Sequence, residues 1–231
     1  MNRILMQDLD VQQLFELLLE NPRRFVEEER SYALLEEYFD GFPLRSLHDL
    51  LNSQDELVRR EAIWITSELG VMGKDLVFDV LPFLRDQNPT IRYEALDAVA
   101  VFSSVGNFEQ FVHVVRALES ADSVTRKQAM LLVANANEKQ ISTVMTKLDD
   151  ASQRDKIHYE CLKKLSGDGV VYREEIRAMI DSEEAIIRNY GAIAAKRLYA
   201  TDPELLELAN KSGDPDIAKF AEEIIAIEAL S

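Results

Sequence analysis

The heptapeptide ELVRREA, residues 56–62, comes back twice in altered form, as PTIRYEA at 89–95 and SVTRKQA at 123–129. Arg59, Arg92 and Arg126 are 33 and 34 residues apart, and Ala62, Ala95 and Ala129 keep the same spacing. A fixed period of this length marks a repeat architecture, in which each unit is one supersecondary element stacked on copies of itself. The register extends further. AIIRNYG, residues 185–191, puts Arg188 at the arginine position and Gly191 at the small one. A degenerate copy has Lys156 and Tyr159 there, and DIAKFA, residues 216–221, has Ala218 and Ala221. Eight residues before the first five of these basic positions stand Leu51, Leu84, Leu118, Leu148 and Ile180.

Each unit reads as two helices. The first carries apolar residues at helical spacing, as in Leu47, Leu50 and Leu51, or Leu81 and Leu84. A polar break follows, at Asn52–Asp55, Gln87–Pro89, Ala121–Ser123 and Asp181–Ser182, offering N-cap side chains and, at Pro89, a first-turn proline. The second helix puts Val58, Ala62, Ile65 and Leu69 on one face, and Ile91, Ala95, Ala98 and Phe102 likewise. Gly70, Gly73, Gly106, Asn107, Gly167 and Gly169 punctuate the joints, and strand-like alternation is absent. A helix pair this short cannot bury its own apolar face, so the copies must stack.

The leucine, the polar turn, the Val/Ile-Arg pair and the alanine three residues later resemble the HEAT-repeat family over roughly residues 44–226. The resemblance implies an all-α protein, a right-handed α-solenoid of stacked helix pairs. It also implies that Arg59, Arg92, Arg126 and Arg188 hold repeats together through acidic residues of the preceding turn. About six pairs fill residues 44–231 as a single solenoid domain. Residues 1–43 do not fit the register. There VQQLFELLLE and RRFVEEERSYALLEEYF read as two amphipathic helices parted at Asn21-Pro22 and ended by Gly41-Phe42-Pro43, an N-terminal pair that caps the stack.

Charge narrows the choice of partner. The formal net charge is −16 in 231 residues. Residues 1–43 hold ten acids and four bases, and residues 199–231 eight acids and two bases. Such a chain is repelled by phosphate backbones and anionic lipid, which argues against nucleic acid and membrane. One cysteine, Cys161, fits a reducing compartment, and acids at Asp8 and Asp10 interrupt any signal-peptide core. The expectation is a cytoplasmic monomer.

No phosphate-binding loop, nucleophile elbow or metalloprotease histidine pair occurs in the sequence. His158 and Cys161 lie three apart on one helix, and the expectation for them is a buried cysteine beside a surface histidine, with no metal and no cofactor. Two enzymatic branches of the family remain as alternatives. In the alkylpurine DNA glycosylases a tryptophan, an aspartate and an arginine act in a cationic groove; here Glu68, not aspartate, follows Trp64 by four residues. The phycobilin-attaching lyases have no identifying residue in this chain.

Surface is left to carry function. By analogy with the family, a solvent-facing strip on the second helices lines an inner curve. Projecting the register gives Arg60, Trp64 and Ser67; Tyr93, Asp97 and Ala100; Lys127, Leu131 and Ala134. Later units add Ile157, Cys161 and Lys164, then Asn189, Ile193 and Lys196, then Lys219 and Glu223. Exposed tryptophan, tyrosine and leucine are the material of protein-binding hot spots. The partner-binding residues expected are therefore Arg60, Trp64, Tyr93, Asp97 and Leu131, joined by the acids Glu27, Glu28, Glu36 and Glu37 of the N-terminal pair. The function expected is a non-catalytic module that binds another protein, and in its sharpest form a bacterial immunity protein neutralising a basic toxin.

Overall fold

The computed structural model describes residues 9–148, 152–166 and 173–230. Gly167 and Gly169, expected at a joint, lie outside them. The described residues form fifteen α-helices, numbered here in chain order, and no strand. They fall into two compact units, Met1–Val101 and Phe102–Ser231.

The first unit opens with α1 (Val11–Glu20), whose N-cap Asp10 and N3 residue Gln13 form a reciprocal capping box. Asn21 caps α2 (Pro22–Glu27), with Pro22 in its first turn. The segment read as one helix after Asn21-Pro22 is two. Glu29 takes a left-handed conformation, φ +53°, while Glu29 N–H donates to the Val26 carbonyl and Arg30 N–H to that of Phe25. This is a Schellman turn made without glycine, and it stops α2 before α3 (Ser31–Phe39) begins. Arg30 beneath it is buried and paired to Glu28 at 3.1 Å. Gly41, φ +103°, closes α3 in the same way, with Phe42 N–H donating to Glu37 and Gly41 N–H to Tyr38.

The repeat pairs follow as expected. α4 (Arg45–Leu51) buries Leu47, Leu50 and Leu51, and α5 (Glu56–Glu68) turns Val58, Ala62 and Ile65 inward with Leu69 just beyond its end. Asp55 caps α5, accepting from Leu57 N–H at 2.8 Å. In the next pair Pro82 interrupts the first helix: α6 is only Val77–Val80, and residues 81–85 continue as a 3₁₀ turn. That changes which residues point inward, so Phe83 and Val80 are buried and the register leucine Leu84 is only half so. On α7 (Pro89–Val105), Ile91, Ala95, Ala98 and Phe102 are all buried, as the register requires.

The second unit holds α8 (Phe111–Arg116), α9 (Ser123–Asn135), α10 (Glu138–Leu148), α11 (Gln153–Leu165), α12 (Arg173–Ile180), α13 (Ala185–Arg197), α14 (Pro203–Asn210) and α15 (Pro215–Glu228). α13 packs on its own partner α12, and Gly191 makes that possible: a Cβ there would sit 2.7 Å from the Ile180 nitrogen. α13 also packs directly on α9, two units back in sequence, as well as on α11, α14 and α15. Stacking here is not a strict succession of neighbours.

The register arginines do a local job first. Arg59 donates to the carbonyls of Ser53 and Gln54, Arg92 to Asp86 and Gln87, Arg126 to Ser120, and Arg188 to Ser182 and Glu183. Each ties the inter-helix turn of its own unit through backbone oxygens; for Arg126 and Arg188 the acids also correct the expectation of a pairing with the preceding turn. The acids come from later turns: Arg188 pairs with Asp214 at 2.8 Å, and Arg126 with Asp216. In the second unit the arginines thus do join repeats, but forward along the chain. The described residues form an all-α fold of paired helices.

Candidate functional site

Within the first unit, the α2–α3 turn faces α5 and α7 across a cavity of about 510 Å³. Val26, Glu29, Ser31 and Tyr32 form one wall; Arg60, Glu61 and Trp64 of α5 and Thr90 and Glu94 of α7 form the rest. The left-handed Glu29 turn is what presents Ser31 and Tyr32 here. Tyr32, 67% exposed, meets the half-buried Trp64 edge-on, with ring centroids 4.9 Å apart. Such edge-to-face pairs are attractive.

The charges on these walls are unevenly matched. Glu61 is buried but fully engaged: Ser31 Oγ donates to one carboxylate oxygen at 2.5 Å, and Arg60 to the other from Nη2 at 3.1 Å and Nε at 3.3 Å. Arg60 and Glu61 therefore cancel. Glu94 is half-buried and accepts one bond, from Ser67 Oγ at 3.0 Å; it pairs with no cation among the described residues. Loss of solvent raises its pKa, the Ser67 bond opposes this, and Asp97 and Glu68 nearby raise it further. The Tyr93 hydroxyl is pushed up chiefly by desolvation, then by Asp97 and Glu94. The cavity is thus a net-negative pocket with an aromatic wall.

Of the residues singled out in the sequence, Arg60 and Trp64 line this cavity, and Tyr93 and Asp97 stand on α7 on either side of Glu94 in the chain. Glu27 and Glu36 are exposed and Glu37 is half-exposed. Glu28 is tied between Arg24 at 2.7 Å and Arg30, and the Arg24 bond lowers its pKa. None of these four acids lines the cavity. Leu131, on α9, belongs to the second unit and is half-buried. Tyr32, Ser31, Glu61 and Glu94 were missed. Tyr32 lies outside the repeat register, and nothing in the sequence sets it against Trp64.

The projected strip is not open throughout. Ser67, Ala100, Ala134, Cys161, Asn189 and Ile193 are buried. In the second unit the cause is the α9–α13 packing: Asn189 donates to the Leu118 carbonyl, Lys196 to Asn135, and Arg197 to the carbonyls of Val133, Ala134 and Ala136.

His158 is likewise not on the surface. It is fully buried, one ring nitrogen 2.9 Å from the Tyr190 hydroxyl and the other 3.0 Å from Glu119. Burial lowers its pKa, against the pull of Glu119 and Asp155. Cys161 is buried as expected, its thiol pushed up to about 11 by desolvation, the opposite of an activated nucleophile. Among the described residues no group of three His, Cys, Asp or Glu side chains is placed to share a metal. A second cavity, of about 560 Å³, is lined by Arg126, Arg154, Glu119 and Asp216. Both of its arginines are already paired, Arg154 with Glu119 at 3.2 Å and Arg126 with Asp216. No described helix is long and apolar enough to cross a membrane.

No family model matches the chain, and no curated protein does either. Solved structures do resemble it. An engineered protein, 16% identical, matches with a TM-score of 0.50 over 94% of this chain and 98% of its own. An archaeal HEAT-like repeats protein from Thermococcus onnurineus NA1, 15% identical, has a TM-score of 0.49 over 95% and 97%. A designed armadillo repeat protein, 18% identical, has 0.47 over 96% and 100%. At 16% identity the likeness to the engineered protein speaks to fold and to nothing else.

Proposed function

We propose that this chain is a non-catalytic helical-repeat module that binds another protein, with residues 1–43 as an N-terminal cap on repeats spanning 44–231. The observation that supports it best is the aromatic wall of the first unit. Tyr32 is two-thirds exposed against Trp64, and Tyr93, 36% exposed, stands on the neighbouring helix. Solvated aromatic rings over a recess are the raw material of hot spots. The exposed acids Glu27 and Glu36 would steer a partner toward this side without anchoring it.

In its finer form the module is a cytoplasmic, monomeric immunity protein that neutralises a basic toxin. The net charge of −16 supports this, because acid speeds capture of a cationic protein. The test is capture of partners from the native host on immobilised protein, with Trp64→Ala as control. One basic protein retained by the wild type and lost by a folded Trp64→Ala is the expected result. Turnover of alkylated DNA that disappears in Trp64→Ala or Glu68→Ala would put an enzyme in place of the binder.

A further inference from the structure

Glu94 is the feature of the cavity that the repeat fold does not explain. Every other charge on the walls that is buried has its counter-ion or hydrogen bonds: Glu61 has Arg60 and Ser31, and Arg60 has Glu61. Glu94 has only the Ser67 hydroxyl, while Glu68 and Asp97 add negative potential around it. Partial loss of solvent at an unpaired carboxylate favours a cation beside it. Within the same cavity the Tyr32 and Trp64 rings form part of the wall, and a desolvated cation over an aromatic face is attracted by its quadrupole. A carboxylate and an indole on one recess of about 510 Å³ are the two halves of a receptor for a long side chain with a cationic tip.

We infer that this cavity takes a lysine or arginine side chain of the partner protein, its stem along Tyr32 and Trp64 and its charged head on Glu94. This rests on the protein-binding reading above and specifies the anchor. It differs from a diffuse attraction between an acidic protein and a basic one, since it places the decisive contact at one carboxylate. Arginine would present its planar group to the indole and the carboxylate together; lysine would place a point charge between them.

Trp64 is the chain's one tryptophan, so its fluorescence reports on the cavity directly. The experiment titrates the full chain with end-blocked tetralysine and tetra-arginine peptides at physiological salt. At least one basic peptide is expected to change Trp64 emission saturably, and the ε-acetylated form of tetralysine is expected to leave it unchanged. Glu94→Gln, which keeps the shape and a partner for Ser67, should weaken that peptide at least tenfold. Glu20→Gln, an exposed acid outside the cavity and with no part in binding, should change it less than twofold. Tyr32→Ala, at an exposed position, is a second probe that does not depend on how Glu94→Gln folds, and it should also weaken binding. Equal losses in Glu94→Gln and Glu20→Gln would overturn the inference, because the attraction would then be diffuse. So would undiminished binding of the acetylated peptide, no emission change with either basic peptide, or spermidine binding more tightly than both peptides. A host partner captured through Trp64 but indifferent to Glu94→Gln would sink the anchor while leaving the protein-binding reading standing. Peptide binding through Glu94 with no protein captured would do the reverse.

Discussion

At the scale of single residues, the two units place chemistry that type alone does not announce. His158 is enclosed by Glu119, 39 residues earlier, and Tyr190, 32 later. A histidine on an isolated helix gives no hint of such distant partners, which is why the sequence pointed to the surface. Its folded pKa lies below the ordinary 6.5 because burial disfavours the imidazolium. The unfolded chain therefore binds the extra proton first, and stability should fall as pH drops below 6.5, with the plateau above it. Asp155, held by Arg116 below its usual 3.8, adds a separate loss in the range below that value. Urea melts between pH 7.5 and 5 should show the first loss, and His158→Gln should flatten it. A slope that persists in the variant would assign the loss to other groups. Gly191 is the complementary case, legible as the small position of the register yet needed for a reason only the packing reveals. A methyl there meets backbone of α12 at 2.7 and 2.9 Å, atoms that cannot swing aside. Gly191→Ala should cost about 1–3 kcal/mol, read as a lower urea midpoint with unchanged slope.

At the scale of elements, the period gave the second helices their inward faces correctly, because that pattern is local. Val58, Ala62 and Ile65 on α5, and Ile91, Ala95 and Ala98 on α7, are each at most 1% exposed. Ala95→Leu should therefore overpack the α7 face and destabilise by about 1–3 kcal/mol, seen as a lower melting temperature. An unchanged melting temperature would mean that the face has slack. Elements whose ends depend on backbone conformation were less legible. Glu29 enters the left-handed region without being glycine and splits one expected helix into α2 and α3. Pro82 shortens α6 and turns Phe83 inward where Leu84 was expected. The α9–α13 contact lay beyond reach for another reason. A periodic pattern says which face is apolar but not which copy it meets, and here the meeting buries Asn189 and Ile193. The candidate site divides along the same line: Arg60 and Trp64 came from the register, whereas Tyr32 and Glu94 needed the turn at Glu29 and the Ser67–Glu94 bond between α5 and α7.

At the scale of the whole molecule, charge and shape should divide the work of binding between encounter and residence. The net charge of −16 acts at a distance, and its surface members Glu27, Glu36 and Glu37 are in water, where salt screens them within about 10 Å. Glu28 is different, since its pairs with Arg24 and Arg30 hold the α2–α3 turn. Reversing Glu27, Glu36 and Glu37 to lysine should therefore slow association with a basic partner, an effect that shrinks as salt is added, with little change in dissociation. Including Glu28→Lys should also disturb the turn that presents Tyr32, so its extra loss should appear in dissociation. Trp64→Ala and Tyr93→Ala should leave association nearly intact and speed dissociation, by about 2 kcal/mol or more for a hot spot. Surface-based kinetics on each variant, preceded by a melt to verify folding, separates these outcomes. Should the lysine reversals change only dissociation while the aromatic truncations change only association, this division of labour would be inverted. The cavity would then act as the first point of encounter and the acids as the anchor.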